Sequence, residues 1–540
     1  MSRPVSGAHS LALGALESGV TLVTGYPGSP ATAVVNAILQ LTTPEEVQVE
    51  WISNEKVAIE IAFGASLGGQ RALLCVKGVG LNIALDPLMT INLSGCNAGF
   101  VILVGDDPGS WGSQNEQDSR ALAALTEIPW LEPTTVTDAY TAMRRAFALS
   151  EEMGLPVVVR ITRALALAEG EIKALDAPAD LIPAPPPSFQ REFIRWVVLP
   201  INAVPYHQRL VQRLSAVQAT FEKSLLNGVE GDGEWAVIAS GFTYQKLLDL
   251  WTGVIPSGMR LLRLGTFYPL PIERVTAFFK TVESVLVLEE TAPLVERAVR
   301  AAAQAAALTL PIHGRDTGDV PLVGELFAPE IARALNRFVP GLALPANGQQ
   351  GRPRPSREPL CEGCPYIPTF DALTAVMADR GGRDAFIVVG DPGCMVRAQM
   401  PPYKLMDVKH GLGSAIGMAT GIALSHTGKR LVALCGDSGF LHSGLNGLVD
   451  AGRVGARRLA LILDNGTTAL SGGQPHPASR VDARGRQRRA VELVALARAA
   501  GAGLVRVVDL DAGEDIRAAI AMGVDFDGLA VVIARGQCVR

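Results

Sequence analysis

Short apolar strand patterns alternate with longer helical patterns along most of this 540-residue chain. The runs GFVILVGDD (99–107), KRLVALCGD (429–437) and RRLALILDN (457–465) are aliphatic and end abruptly in polar residues or glycine. Strands have such continuous aliphatic sequences when helices cover both faces of a parallel sheet. Ligand sites in such sheets lie where the strands end. The alternation therefore predicts an α/β fold of doubly wound parallel sheets, with functional groups at the carboxyl ends of the strands.

Two proline-rich stretches divide the chain into three parts. The first covers 177–190 and the second covers 340–359, and neither has a periodic apolar pattern. Such stretches are typical of linkers. The sequence therefore predicts domains at 1–176, 191–339 and 360–540.

The overall composition excludes several classes of function. The formal net charge is -5 at pH 7, so the chain lacks the basic excess that nucleic-acid binding requires. Its apolar runs are all shorter than the roughly 18 residues that a membrane-spanning helix needs. The N-terminal stretch contains an acidic residue and lacks a cleavage-type ending, unlike a signal peptide. We expect a cytoplasmic protein that binds neither nucleic acid nor membrane.

Polar residues end two successive strand patterns in the last third of the chain. Asp437 follows one apolar run, and Asn465 follows the next. Carboxylate and amide oxygens are ligands that Mg²⁺ prefers, especially beside a diphosphate. The spacing indicates a divalent-cation site, with two ordinary polar turns as the alternative.

Four of the seven cysteines form a second pattern. Cys361 and Cys364 form a CxxC pair, Cys394 follows the next strand pattern, and Cys538 stands close to the end of the sequence. Because thiols stay reduced in a large chain without a secretion signal, the cluster indicates metal or catalysis before disulfides. Four thiolates bind either Zn²⁺ or a [4Fe–4S] cluster, and an isolated CxxC pair can be inert. The remaining cysteines lie in apolar strings and are predicted to be buried: Cys75, Cys96 and Cys435.

Several strings resemble one enzyme family. The Gly-Asp-Ser turn at 436–438, followed by the Asn of DNGT (464–467), resembles the thiamine-diphosphate signature. The strings GYPGSP (25–30), KGVGLNIALDPLMT (77–90) and GDDPGSWGSQNEQDSR (105–120) resemble large subunits of the indolepyruvate:ferredoxin oxidoreductase group. This group belongs to the 2-oxoacid:ferredoxin oxidoreductases, and the resemblance covers nearly the whole chain.

The resemblance implies roles for particular residues. Asp437, Asn465 and the carbonyl of Thr467 would hold Mg²⁺, and Gly436 and Ser438 would face the diphosphate. The four patterned cysteines would bind one [4Fe–4S] cluster. The catalytic residue would be Glu55, which would activate the cofactor. The substrate pocket would be lined by Tyr26, Ser29 and Arg120. For Glu55 the alternative is a favourable charge at a helix start, and for Arg120 it is a surface ion pair with Glu116 or Asp118.

The resemblance also implies an architecture and a reaction. The three parts would be a pyrimidine-binding domain, a transketolase C-terminal-like domain and a diphosphate-binding domain. With thiamine diphosphate, Mg²⁺ and the cluster, the enzyme would oxidatively decarboxylate a 2-oxoacid to an acyl-coenzyme A. A smaller β-type subunit in an α₂β₂ heteromer and ferredoxin or a similar carrier would be its partners. A non-oxidative thiamine-dependent decarboxylase or carboligase, and a catalytically idle scaffold subunit, are the alternatives.

The chain departs from the family pattern at three places. Gly78 and Tyr366 stand where the resembling proteins carry histidine. The sequence also stops shortly after Cys538, where relatives of this type continue into a ferredoxin-like module. We therefore expect a single cluster to be built from the cysteines of this chain.

Overall fold

The computed structural model describes residues 3–172, 188–346, 359–425, 428–455 and 457–540. The chain forms two compact units, one of residues 1–50 and 55–354 and the other of residues 51–54 and 355–540. The predicted α/β fold with parallel sheets is confirmed. Most of the predicted linkers 177–190 and 340–359 lies outside the described residues, so the three-domain division remains a prediction.

Strands and helices alternate through residues 3–346. The strands are β1 (Arg3–Ser6), β2 (Leu22–Gly25), β3 (Gln48–Trp51), β4 (Ala72–Lys77), β5 (Phe100–Asp106), β6 (Trp130–Leu131), β7 (Val157–Thr162), β8 (Glu169–Ile172), β9 (Gly228–Gly231), β10 (Trp235–Ser240), β11 (Met259–Leu264), β12 (Thr266–Tyr268), β13 (Ser284–Leu288) and β14 (Ile312–His313). The helices are α1 (Gly7–Glu17), α2 (Ala31–Leu41), α3 (Glu55–Leu67), α4 (Gly78–Ser94), α5 (Ala123–Thr126), α6 (Val136–Met153), α7 (Arg163–Leu167), α8 (Phe193–Trp196), α9 (Pro200–Glu222), α10 (Thr243–Leu250), α11 (Ile272–Phe279), α12 (Leu294–Ala305) and α13 (Ala328–Phe338).

The first sheet has the strand order β12-β6-β7-β5-β4-β2-β3 within the described residues. Strands β2, β4, β5 and β7 pair in parallel and are almost wholly buried, which is why their sequences read as continuous apolar runs. Their carboxyl ends lie at one edge of the sheet, where α3 and α4 begin nearby. This edge positions the N-terminal candidate residues.

A second sheet, in the order β14-β13-β10-β11-β9, lies in the same unit. Strands β10, β11, β13 and β14 are parallel, and β9 is antiparallel to β11. Strand β12, which follows β11 after one residue, pairs with β6 of the first sheet. Because β11 and β12 are adjacent in the chain but belong to different sheets, residues 191–339 form one compact unit together with the N-terminal part.

The second unit is built on one parallel sheet. Its strands are β15 (Phe386–Gly390), β16 (Val408–Lys409), β17 (Arg430–Gly436), β18 (Arg458–Asp464), β19 (Leu504–Asp509) and β20 (Leu529–Arg535), in the order β16-β15-β17-β18-β20-β19. Its helices are α14 (Ile367–Asp379), α15 (Ala415–Leu424), α16 (Asp437–Gly439), α17 (Leu445–Val454), α18 (Leu493–Ala499) and α19 (Ile516–Asp525). Strand β20 lies between β18 and β19, so the end of the chain leaves the sheet beside the end of β18.

Buried apolar side chains cover both faces of this sheet. Cys435 lies in this core, and Cys75 and Cys96 are buried in the first unit, at 1% exposure or less in each case. The prediction that these three cysteines are buried is confirmed. Through the described ranges, every helix is too short or too polar to cross a bilayer.

Candidate active site

Two neighbouring strand ends bring the predicted magnesium ligands together. Strands β17 and β18 pair in parallel, and the helical segment after β17 begins at Asp437. Asp437 Oδ2 accepts hydrogen bonds from the backbone N–H groups of Asn465 at 3.0 Å and Gly466 at 2.8 Å. The side-chain oxygen of Asn465 accepts the N–H of Thr467 at 3.2 Å. A buried carboxylate and a half-buried amide therefore lie side by side at a helix N-terminus, which favours anions through its unpaired N–H groups.

The charges around Asp437 suit a bound cation. Burial raises the pKa of Asp464, and the neighbouring Asp437 raises it further because two carboxylates lie close together. Arg535 offsets part of this charge through a 2.8 Å bond from its Nε to Asp464. Two carboxylates and an amide oxygen form the hard-oxygen set that Mg²⁺ binds. The residues present therefore fit the cation and the diphosphate that the sequence predicts.

His476 also belongs to this group, and sequence reasoning missed it. Its side chain is 3% exposed, and its Nε2 lies 3.1 Å from Asp437 Oδ2. Nδ1 accepts the N–H of Ala478 at 3.2 Å, so Nε2 is the ring nitrogen that carries a proton. Nε2 makes no well-aligned hydrogen bond among the described residues. The sequence feature that could have identified His476 as a site residue is its position in the turn-rich stretch GGQPHP (472–477), shortly after the strand that ends before Asn465.

Asp391 supports the same edge of the sheet from β15. It is fully buried and accepts the N–H groups of Gly413 at 2.8 Å and Ala415 at 2.9 Å. The thiol of Cys435 donates to it at 3.0 Å. Burial raises the pKa of Asp391 to about 6, against the opposing effect of these donors. Asp391 follows its strand as Asp437 does, so the rule used for Asp437 would have found it.

The four patterned cysteines line one cavity of about 20 Å³. Asn465 and Tyr366 line the same cavity. Each of the four thiols is half-buried, and Arg397 Nη1 lies 3.6 Å from Cys361 Sγ. Burial raises the pKa of Cys394 to about 11, and the neighbouring Cys364 adds to the shift. The structure therefore brings together cysteines from the start and the end of the second unit.

Three segments of the second unit carry these cysteines. Cys361 and Cys364 form a turn before α14, closed by a 3.1 Å bond from Cys364 N–H to the Cys361 carbonyl. Cys394 begins the 3-10 turn Cys394–Gln399 after β15, and Cys538 follows β20. The tail approaches the first turn so closely that a Cβ placed at Gly536 would lie 2.6 Å from Pro365 Cβ. Glycine at this position lets Cys538 reach the other three cysteines.

The four thiols form a donor set that both a [4Fe–4S] cluster and a Zn²⁺ ion accept. Across the described ranges, no group of three or more His, Cys, Asp or Glu side chains is placed to hold a metal ion as the protein stands. The cluster therefore remains a prediction.

Tyr366 lines the cavity that the four cysteines share with Asn465. Its side chain is 3% exposed, and its ring packs against Phe370 with centroids 6.3 Å apart. Burial raises the pKa of Tyr366 well above its usual value, and Asp437, Cys394 and neighbouring acidic groups raise it further. The hydroxyl therefore stays protonated and remains a hydrogen-bond donor.

Glu55 is the first residue of α3 and is 6% exposed. Its carboxyl lies against α4, because a Cβ placed at Gly80 would be 2.4 Å from Glu55 Oε1. At Gly78, in the same turn of α4, a Cβ would be 2.2 Å from Asp106 Oδ1. The two glycines therefore leave room for two buried carboxylates at the start of α4. This position is compatible with cofactor activation by Glu55 and with a charge that only stabilises the start of its helix. The catalytic role of Glu55 remains a prediction.

The loop from Tyr26 to Pro30 follows β2 at the same edge of the first sheet. Tyr26 is buried, whereas Ser29 is exposed. The loop packs onto β5, where a Cβ placed at Gly105 would lie 2.8 Å from Pro30 Cδ. A hydrogen bond of 2.7 Å from Gly28 N–H to Thr32 Oγ1 joins the loop to α2. The assignment of Tyr26 and Ser29 to a substrate pocket stays a prediction.

Arg120 is buried among protein carboxylates. Its Nη2 lies 2.7 Å from Asp118 Oδ2 and 3.0 Å from Glu289 Oε2, and its Nη1 lies 3.5 Å from Glu132 Oε2. Burial raises the pKa of Glu289 to about 7, against the lowering effect of Arg120. Three protein carboxylates surround its guanidinium, which favours the alternative interpretation of an ion pair with Asp118, although the pair is buried and does not lie at the surface. The assignment of Arg120 to a substrate carboxylate stays a prediction.

Replacing Arg120 with Met is expected to lower the free energy of unfolding by at least about 3 kcal/mol. The substitution leaves buried carboxylates without their cation, and breaking a buried pair in this way is strongly destabilising. Urea denaturation measures the change. The control is Arg145→Met, which removes a more exposed ion pair with Glu152 at 2.7 Å and should cost less than about 1 kcal/mol. If the free energy of unfolding of Arg120→Met is unchanged and its KM for a 2-oxoacid is raised, the result would instead support a substrate-binding role for Arg120.

Two family profiles match the chain. The profile "Pyruvate flavodoxin/ferredoxin oxidoreductase, thiamine diP-bdg" matches residues 13–191. The profile "Thiamine pyrophosphate enzyme, C-terminal TPP binding domain" matches residues 376–534. The second range contains the Asp437 and Asn465 strand ends and the Cys394 turn.

Curated relatives match along almost the entire chain. The indolepyruvate oxidoreductase subunit IorA of Pyrococcus abyssi is 32% identical over 98% of this chain and 85% of its own length. The IorA subunit of Methanothermobacter thermautotrophicus is 33% identical over 98% of this chain and 86% of its own length. The IorA subunit of Archaeoglobus fulgidus is 32% identical over the same shares of the two chains.

A solved structure shares the fold. It is described as 2-oxoglutarate:ferredoxin oxidoreductase from Magnetococcus marinus with 2-oxoglutarate, coenzyme A and succinyl-CoA bound. The TM-score is 0.51 at 16% identity, and the match covers 62% of this chain and 65%, just under two thirds, of that chain. Because the curated relatives align over most of their own length with nearly all of this one, the chain belongs to the IorA family of indolepyruvate oxidoreductase subunits, among the 2-oxoacid:ferredoxin oxidoreductases.

Proposed function

We propose that the chain is the thiamine-diphosphate-binding subunit of an enzyme that oxidises a 2-oxoacid to an acyl-coenzyme A. One 2-oxoacid anion and one coenzyme A thiol would give one acyl thioester, one CO₂, two electrons and one proton. We propose an arylpyruvate such as indolepyruvate as the substrate, because the curated relatives that align over 98% of the chain are named for it. Coenzyme A is proposed as the acyl acceptor.

The observation that carries this proposal is the cavity that Asn465 shares with the four cysteines. Asn465 belongs to the group around Asp437 that fits Mg²⁺ and a diphosphate. Thiamine diphosphate supplies a nucleophilic carbon for decarboxylation, and a [4Fe–4S] cluster supplies a one-electron acceptor. A site for electron removal next to the diphosphate site is what distinguishes oxidative from simple decarboxylation.

Each group of residues has a proposed task. Asp437, Asn465 and Thr467 hold Mg²⁺, and Gly436 and Ser438 face the diphosphate. Glu55 hydrogen-bonds the aminopyrimidine ring, and Tyr26 and Ser29 line the substrate pocket. The cluster ligands are Cys361, Cys364, Cys394 and Cys538.

We further propose that the chain works with a smaller β-type subunit in an α₂β₂ heteromer. The relatives are themselves named as subunits of an oxidoreductase, which supports a partner chain. Two successive one-electron transfers to ferredoxin or a similar carrier would complete each turnover.

The direct test is anaerobic purification of the enzyme in its native complex, with iron, sulfide and thiamine quantified. We expect about four irons per chain, as one [4Fe–4S] cluster requires, and coenzyme A-dependent reduction of a viologen dye by arylpyruvates. Full thiamine with no iron, and release of an aldehyde without coenzyme A, would contradict the proposal and support a non-oxidative decarboxylase.

Replacing Cys538 with Ala should lower iron content and reduce electron transfer by at least about tenfold, because the cluster loses one of four ligands. Thiamine diphosphate affinity should stay within about twofold, since the Asp437 group is untouched. Iron assay, dye reduction and cofactor titration measure the three quantities. The control is Cys75→Ala, which removes a buried thiol of the first unit. Equal iron in the Cys538 variant and the control would remove Cys538 from the ligand set.

A further inference from the structure

The ring of His476 is held in one orientation beside the strand end that carries Asn465. The backbone N–H of His476 donates to Ser479 Oγ at 2.9 Å, and the Ser479 hydroxyl donates to the Gly466 carbonyl at 2.5 Å. The ring nitrogen Nδ1 accepts the N–H of Ala478 at 3.2 Å. Hydrogen bonds within the protein therefore tie this turn to Gly466 and fix the direction of the ring.

The other ring nitrogen, Nε2, is a buried donor without an acceptor. Because Nδ1 accepts a hydrogen bond, Nε2 carries a proton. It makes no aligned hydrogen bond within the part of the chain that the structure describes, and the side chain is only 3% exposed. A buried donor left unpaired costs free energy, so such groups are normally satisfied by a neighbour or a bound group. The orphaned N–H therefore indicates an acceptor that binds to the protein at this point.

Asp437 lies close to Nε2 but does not satisfy it. Asp437 Oδ2 is 3.1 Å from Nε2, yet it already accepts the backbone N–H groups of Asn465 and Gly466. A carboxylate oxygen has two lone pairs, so these two donors occupy Oδ2. A ring nitrogen that carries a proton cannot bind a cation either, so His476 is not a further ligand of Mg²⁺. An anion held beside Asp437 is the acceptor that fits this donor.

We propose that Nε2 of His476 donates a hydrogen bond to an oxygen of the diphosphate of thiamine diphosphate. This inference rests on the proposed function, because it requires the diphosphate beside Asp437. Hydrogen bonds to charged oxygens are stronger than those between neutral groups. A donor whose direction is already fixed also loses little conformational freedom when the ligand binds. His476 is thus a binding residue for the diphosphate, in addition to the residues that hold the cation.

Two substitutions separate the two nitrogens of the ring. His476→Asn keeps an acceptor near the position of Nδ1 and removes the donor, whereas His476→Gln extends an NH₂ group towards the position of Nε2 and loses the acceptor. Calorimetric titration of the cofactor-free native complex with inorganic pyrophosphate and Mg²⁺ measures the affinity. We expect His476→Asn to lose at least about tenfold in affinity, as removal of a hydrogen bond to a charged group should give. His476→Gln keeps a donor and should lose less than about threefold.

Two further measurements test how His476 acts. Binding of Mn²⁺ without pyrophosphate, followed by electron paramagnetic resonance, should change less than about twofold in His476→Asn, because the cation ligands stay in place. The ³¹P chemical shift of bound pyrophosphate should differ between His476→Asn and the wild type. The matched control is His207→Asn, which removes a histidine of the first unit that is 53% exposed. This control should leave all three quantities unchanged.

The outcomes separate this inference from the proposed function. A wild-type complex that binds neither pyrophosphate nor thiamine diphosphate would remove the diphosphate site itself. Wild-type pyrophosphate affinity in His476→Asn would overturn only the role of Nε2. A larger loss in His476→Gln than in His476→Asn would also overturn it, because the ring would then serve only its own turn.

Two more results bear on the role of Nε2. An equal loss of Mn²⁺ affinity in His476→Asn would overturn it, because His476 would then act through Asp437. If His476→Asn does not fold, His476→Gln still decides. Affinity within about threefold of the wild type would support the donor, and a loss of at least about tenfold would overturn it.

Discussion

Replacing Asp437 with Asn is expected to lower the affinity for thiamine diphosphate and Mg²⁺ by about a thousandfold. The substitution keeps the shape of the side chain and removes the charge that would bind the cation. It also places an NH₂ group where Oδ2 now accepts two backbone N–H groups. Loss of a charged metal ligand costs on the order of 4 kcal/mol, which corresponds to this factor. Calorimetric titration of cofactor-free enzyme with both ligands measures it.

The matched control is Asp450→Asn on α17. Asp450 is exposed, and its carboxylate lies 3.3 Å from Arg453 on the same helix. Its loss should change cofactor affinity by less than about twofold, because exposed ion pairs contribute little. Equal affinities of the Asp437 variant and the control would show that the cation binds elsewhere.

Replacing Glu55 with Gln should lower turnover by about a thousandfold. A positioned acid or base contributes roughly 10²- to 10⁴-fold to a reaction, and an amide cannot exchange the proton that a carboxyl can. Thiamine diphosphate affinity should change much less, since the diphosphate residues are elsewhere in the chain. Steady-state kinetics and the hydrogen–deuterium exchange rate at the reactive thiazolium carbon of the bound cofactor test this expectation.

Glu60→Gln provides the control on the same helix, because Glu60 is exposed and pairs with Lys56 on the surface of α3. We expect wild-type turnover from this variant. Wild-type turnover from Glu55→Gln as well would favour the alternative interpretation, in which Glu55 only offsets the positive N-terminus of its helix.

The grouping of Asp437 with Asn465 could be predicted because it depends on local rules. A parallel strand ends where its aliphatic run ends, and adjacent parallel strands end at the same edge of the sheet. The meeting of the four cysteines did not follow from spacing alone. It depends on β20 lying beside β18, which brings a segment from residue 536 onward to the Cys361 turn.

Arg120 shows where sequence reasoning reached its limit. Its carboxylate partners include Glu132 and Glu289, and Glu289 directly follows β13 of the second sheet. No periodicity or motif links Arg120 to Glu289, so their contact follows only from the packing of two sheets within one unit. A charged residue in a polar loop was therefore interpreted as accessible, although its side chain is completely buried.

His476 and Tyr366 were missed as site residues for a different reason. Each is an inconspicuous residue in a turn, and each becomes informative only through its burial and its neighbours. His476 lies against Asp437, and Tyr366 lines the cysteine cavity. A rule that inspects the whole turn-rich stretch after a strand end would include His476, but not Tyr366, which precedes its helix.

The position of β20 inside the sheet affects the order in which the protein matures during synthesis. Arg535 Nε bonds Asp464, and Gly536 N–H bonds the Asp464 carbonyl, so the last strand holds the end of β18 in place. A ribosome makes these residues after every other strand of the sheet. The strand end that carries Asn465 therefore gains its final support only after translation of β20, and cofactor loading is expected to wait until β20 has emerged from the ribosome.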